Sequence, residues 1–155
     1  MRLCKRTGSI FSVSYTDADA LLVFVPAGLT ALRVDYKAFV STLDCVFTSE
    51  KGVKAYRDNK TGQLIVAYEN PKNIIPDMDE AINIISEVLS AATRFQVKKI
   101  AMIGLRFHGN HSSSYYMERE LIRLVSMWCD SNPNEIESVM FVDKRGGFSF
   151  VGEEG

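Results

Sequence analysis

The sequence predicts an α/β layered fold, on three observations. Short runs rich in β-branched and aromatic residues alternate with longer stretches of helical periodicity, which argues against a bundle or an all-β sandwich. Two runs, over 98–105 and 137–142, are apolar without alternating, the pattern of strands buried on both faces. Helical stripes are legible over 78–95 and 115–129 between the runs. At 155 residues the chain is the size of one ordinary domain, so a single domain over 1–155 is expected, large enough to bury about 70% of its unfolded surface.

Strands are predicted over 9–13 (Ile10, Phe11, Val13) and 20–25, separated by the turn-like Thr16-Asp17-Ala18-Asp19. The loop signal Asn59-Lys60-Thr61-Gly62 joins 52–57 to 63–68 as a hairpin. A short edge strand over 148–151 after Gly146-Gly147 closes the chain, with Lys144-Arg145 as a solvated hairpin tip. The first helix is predicted over 34–43, with Tyr36, Phe39, Val40 and Leu43 at helical spacing and Arg33 or Asp35 at its start. The second runs over 78–95: Asp77 caps it, Glu80 completes a capping-box pattern, and Ile82, Ile85, Val88 or Leu89, and Ala92 form its stripe. The third runs over 115–129 with Ser114 as N-cap, Met117, Leu121, Leu124 and Trp128 on one face, and Pro133 as stop.

Composition excludes several classes. A hydrophobic content of 46%, with 24% charged residues, is globular, and a net charge of -1 gives no general attraction to nucleic acid. Cys4, Cys45 and Cys129 are odd in number and in no CxxC spacing, which points away from disulfides and zinc and towards a reducing, cytoplasmic setting. Ser9, Ser12, Ser14 and Thr16 interrupt any apolar segment behind Arg2, Lys5 and Arg6, so no signal peptide is expected. The apolar stretch 20–32 contains Pro26, Gly28 and Thr30 and is too short to span a bilayer.

The most informative segment runs from Lys98 to Trp128, in the order strand, small polar loop, helix. In open α/β folds the loop leaving a strand's carboxyl end binds ligands, and a helix N-terminus offers unpaired N–H groups to phosphate or carboxylate. Arg106, Phe107, His108, Gly109, Asn110, Ser112, Ser113, Ser114 and Tyr115 are therefore the candidate ligand-binding residues. Amides from Gly109 onward would hold phosphate oxygens, Asn110 and the serines would complete the hydrogen bonds, and Phe107 or Tyr115 would flank a base or ribose. His108 and His111 are the weak catalytic candidates, as groups that titrate near neutrality; the bland alternative is a pair of solvated loop residues. No third ligand adjoins them, so no metal is expected, and the glycine spacing is neither GxGxxG nor a P-loop, so no cofactor is expected. Asp17 and Asp19 could act as paired carboxylates or merely form a turn. Cys129, beside Asp130 at a helix end, reads as inert.

Four segments resemble the macro domain family. Gly8-Ser9-Ile10 with Asp19-Ala20-Leu21-Leu22-Val23 is similar to the family's opening strands, and 64–71 to its central strand ending in a proline-bearing turn. Val97 to Ile103 is similar to the strand before its glycine-rich phosphate loop, and Glu137 to Asp143 to its last strand. The resemblance implies a three-layer α/β/α sandwich with a mixed central sheet, and a ligand of the ADP-ribose type or another phosphorylated nucleotide. The chain departs from the family at Ser9, where an adenine-contacting aspartate is expected, and at 23–26, where the family is asparagine-rich. Ala27-Gly28-Leu29 replaces a glycine run, and Phe107-His108-Gly109-Asn110 alters the second phosphate loop. Those departures imply poor hydrolysis of ADP-ribose adducts. They leave a second expectation: a degenerate fold serving a protein partner or homo-oligomer as an interaction or assembly module, without ligand or catalysis.

Overall fold

In the computed structural model of the chain, residues 1–25, 30–69, 77–103 and 114–143 are described, with only the backbone described at 114–119 and 143. One seven-stranded sheet organises them: β1 (Arg2–Thr7), β2 (Ala20–Val25), β3 (Asp44–Thr48), β4 (Val53–Arg57), β5 (Leu64–Glu69), β6 (Lys99–Met102) and β7 (Ser138–Asp143). The spatial order is β1-β7-β6-β2-β5-β4-β3. β1, β7, β6, β2 and β5 run parallel, whereas β5, β4 and β3 are antiparallel, so the sheet is mixed.

β2 sits in the middle of the sheet, and all six of its residues are buried. Its alternate side chains feed two cores. Ala20, Leu22 and Phe24 join Leu64, Val66, Ile100, Met102, Val139 and Phe141 beneath α2 (Met78–Arg94) and α3 (Ser114–Ser131). Leu21, Val23 and Val25 join Ile65, Ala67, Ala101 and Val142 beneath α1 (Ala31–Val40), with Ile10 and Val13. Helices thus cover both faces, and the fold is a three-layer α/β/α sandwich. Each aliphatic side chain fully withdrawn from water here contributes about 1.5–3 kcal/mol, which is why two-faced strands carry unbroken apolar runs.

The hairpin of β4 and β5, and the strands over 20–25 and 137–142, form where the sequence predicts them, with β7 starting at Ser138. β6 is shorter than expected at Lys99–Met102; Leu105 lies outside the described residues, as does the expected strand over 148–151 and the Lys144-Arg145-Gly146-Gly147 tip before it. The run 9–13 is not a strand. Ser9 Oγ accepts from the Phe11 N–H and Ser12 Oγ donates to the Ser9 carbonyl, so local hydroxyl bonds close a 3-10 turn over Ile10–Ser12. Two strands lack a sequence signature. β1 is an edge strand studded with Arg2, Lys5 and Arg6, whose charges blunt an exposed edge rather than build a stripe, and β3 is the opposite edge, bulged between Cys45 and Phe47.

α1 starts three residues earlier than predicted because Thr30 caps it, Oγ1 accepting the Arg33 N–H at 3.1 Å. Val34, expected to open the helix, is exposed, while Tyr36 and Val40 are buried. Asp77 caps α2 through Oδ1, which accepts the Glu80 N–H at 2.9 Å. The α2 stripe is Ala81, Ile84, Ile85, Val88, Leu89, Ala91 and Ala92; Ile82 is 43% exposed, correcting its predicted place on the stripe. Ser114 is already helical in α3 rather than its cap, and the helix continues to Ser131, where Asn132 Nδ2 donates to the Trp128 carbonyl and Pro133 follows. Leu121, Leu124, Val125 and Cys129 are buried, with Trp128 partly buried against them. No helix among the described residues is long and apolar enough to cross a membrane.

Candidate functional site

Parallel strands give the sheet a polarity. β2 ends at Val25, β5 at Glu69, β6 at Met102 and β7 at Asp143, all on one edge, and α1, α2 and α3 each begin after the first three of those strands. Open α/β sheets bind ligands at this carboxyl edge, where strand ends and helix N-termini converge. Arg106, Phe107, His108, Gly109, Asn110, His111, Ser112 and Ser113 lie outside the described residues. Ser114 and Tyr115 belong to the first turn of α3, their side chains likewise outside the description.

The described part of the carboxyl edge carries a charged cluster that the sequence did not signal. Glu69 is the last residue of β5, and its side chain is 14% exposed. Lys37 of α1 donates to Oε1 at 2.8 Å, and Lys54 of β4 approaches Oε2 at 3.0 Å as an ion contact. Burial pushes the Glu69 carboxyl upward, but the two ammonium groups outweigh it and hold it below the usual carboxylate range. The contact with Glu69 in turn raises Lys54 above its ordinary value. Beside them Tyr36 is fully buried; burial, and then its contact with the Tyr56 hydroxyl at 3.4 Å, raise its pKa so that it stays protonated. Lys37, Lys54 and Glu69 are separated by 17 and 15 positions, so only the register of β4 on β5 and the docking of α1 bring them together. Gly52, with φ of +93°, turns the chain into β4, its carbonyl accepting the Glu69 N–H.

The paired-carboxylate reading of Asp17 and Asp19 is overturned by their separate partners. Asp17 pairs with Arg6 at 3.1 Å on the surface. Asp19 Oδ2 accepts the N–H groups of Lys98 (2.8 Å) and Lys99 (3.2 Å), while its backbone bonds Lys99 and Leu64. It is a clamp that aligns the starts of β2, β5 and β6, on the edge opposite the strand ends. Cys129 is buried; that burial, then Asp130, pushes its thiol up to about 11, so no thiolate forms near neutrality. Among the described residues no three His, Cys, Asp or Glu side chains gather as a metal site.

No protein-family model matches this sequence, and no curated protein matches it. Solved structures do. The Trypanosoma brucei macrodomain, also solved in complex with ADP-ribose, superposes with a TM-score of 0.65 over 92% of this chain, at 8% identity for one crystal form and 9% for the ADP-ribose complex. This chain spans only 62% and 64% of the length of those two structures. The macrodomain of Thermus aquaticus DarG matches with a TM-score of 0.60 and 12% identity over 91% of this chain and 97% of its own. The macrodomain of Mycobacterium tuberculosis DarG matches with a TM-score of 0.55 and 14% identity over 90% and 96%. With helices on both faces of a mixed seven-stranded sheet in this order, the chain has the fold of a macro domain.

Proposed function

We propose that this macro fold binds a ligand of the ADP-ribose type, or another phosphorylated nucleotide, at the segment that follows β6, residues 106–115. The observation that supports the reading best is the shared architecture with a macrodomain solved in complex with ADP-ribose. The parallel order of β2, β5, β6 and β7 adds a physical reason, since a phosphate meets strand ends and helix N-termini together at that edge. In this reading Gly109 lets the backbone approach the phosphates, and the amides after it, Asn110, Ser112, Ser113 and Ser114 supply hydrogen bonds. Arg106 offers charge, and Phe107 and Tyr115 supply flat faces for base or ribose. Any proton transfer would fall to His108 or His111, the only side chains in the segment that titrate near neutrality.

Calorimetry of the chain with ADP-ribose tests the proposal. Heat of binding that is lost in Gly109→Val, with folding unchanged, supports it. Absence of heat at millimolar ligand would leave the fold serving as an interaction module instead.

A further inference from the structure

A concave surface lies at the amino edge of the sheet, opposite the strand ends. The cleft, of about 240 Å³, is bounded by the starts of β2 and β5, the end of β4 and the carboxyl end of α2. Tyr15 and Phe95 contribute rings, and Leu64 and Val97 also line it, both nearly fully buried in the core. Its volume suits a molecule of one ring with a polar substituent rather than a dinucleotide.

Arg57 gives the cleft its chemistry. Its guanidinium lies over the Phe95 ring, 5.5 Å from the centroid, a cation–π contact. Phe95 meets Phe47 edge to face at 6.5 Å, and the Arg94 guanidinium lies over Phe47 at 4.7 Å, so two arginines and two rings form one cation–π cluster. Among the described residues, the Arg57 side chain makes no hydrogen bond or ion pair; its N–H edges are unspent. A guanidinium held beside a ring with its fork unspent can make two parallel bonds to a carboxylate or phosphate.

Two neighbours oppose negative charge in the cleft, and desolvation discriminates between those anions. Asp19 lines the same cleft, one strand beyond Leu64, itself the cross-strand partner of Arg57. That register sets Arg57 and the start of β2 two strand spacings apart, about 10 Å. The carboxyl end of α2, with its negative dipole, also closes on the cleft at Phe95 and Gln96. A second charge on the ligand doubles its attraction to Arg57 and its repulsion from both neighbours alike, whereas its desolvation cost rises about fourfold, with the square of the charge, so a monoanion suits a single guanidinium better. Gln63 adds shape rather than donors, because its Nε2 is bound to the Val13 and Ala18 carbonyls.

We infer that this amino-edge cleft is a second binding site, taking a small carboxylate with a planar apolar body, with Arg57 receiving the carboxylate and the rings of Phe95 and Tyr15 flanking the body. It is independent of the carboxyl-edge segment proposed for nucleotide. The test is an amide-resolved NMR titration of the full chain with sodium benzoate, benzyl alcohol and phenyl phosphate. Benzoate at millimolar concentration is expected to shift the amides of Gly62, Gln63, Gln96 and Val97, with benzyl alcohol and phenyl phosphate about tenfold weaker or worse. Arg57→Gln should weaken benzoate about tenfold or more and leave the response to ADP-ribose unchanged; Arg57→Lys, which keeps charge but loses the fork, should also weaken it and serves if Arg57→Gln does not fold. Benzoate that leaves those amides unmoved, or binds the Arg57 variants as well as the parent, overturns the site. Tighter binding of phenyl phosphate overturns the carboxylate assignment.

Discussion

Removing the lysines around Glu69 isolates what their charges contribute. In Lys37→Met with Lys54→Met, the Glu69 carboxylate keeps its burial, with 14% of its side chain exposed, and loses both ammonium partners. Stranding a fully buried charge costs about 3–5 kcal/mol. Lys37 and Lys54 are 51% and 39% exposed, however, so solvent screens each contact and a discounted loss of about 2 kcal/mol is expected at pH 7, with about 1 kcal/mol for either single change. The pH dependence carries the sign. The folded pKa of Glu69 lies below its unfolded value, so the stabilisation is present above the unfolded value and disappears as pH falls through the folded one. Without the lysines, unopposed burial raises the folded pKa, and protonation relieves the variant in acid. Urea unfolding of parent and double variant at a series of pH values below and above the ordinary carboxylate range should show a deficit that shrinks towards low pH. A deficit constant across the series, or growing in acid, would refute the reasoning.

Other consequences are independent of that cluster. Asp19→Ala should cost about 2 kcal/mol in urea unfolding, since it leaves the Lys98 and Lys99 N–H groups without their acceptor; Asp19→Asn, whose amide oxygen still accepts, should cost about half. Ile85→Ala should cost about 2–5 kcal/mol and Ile82→Ala less than about 0.5 kcal/mol, because Ile85 is buried and Ile82 is exposed; equal losses would contradict the orientation of α2. A thiol reagent at neutral pH should modify Cys45 in the native protein and Cys129 only on unfolding, as the first is exposed and the second buried and protonated.

Legibility followed burial. β2, β5 and β7 announce themselves because two packed faces demand continuous apolar residues, and α2 because its cap and stripe are both local. Edge strands escaped: β1 needs only to bond β7 and keeps its charges in water, so its residues carry no periodic mark. The run at 9–13 misled because two serine hydroxyls outcompeted the ladder, a choice hydrophobicity alone does not record. The segment after β6 lies outside the described residues, and Lys37, Lys54 and Glu69 become neighbours only through long-range register. Arg57 was invisible for the same reason, since its cation–π partner Phe95 is 38 positions away on another element.

The most direct measurement on the central claim is a crystal structure of the chain soaked with ADP-ribose. The account predicts diphosphate density against the backbone of Gly109–Ser114, with an aromatic side chain of the same segment beside the base or ribose. Density at another edge of the sheet, or an empty carboxyl edge in crystals equilibrated with millimolar ligand, would contradict it.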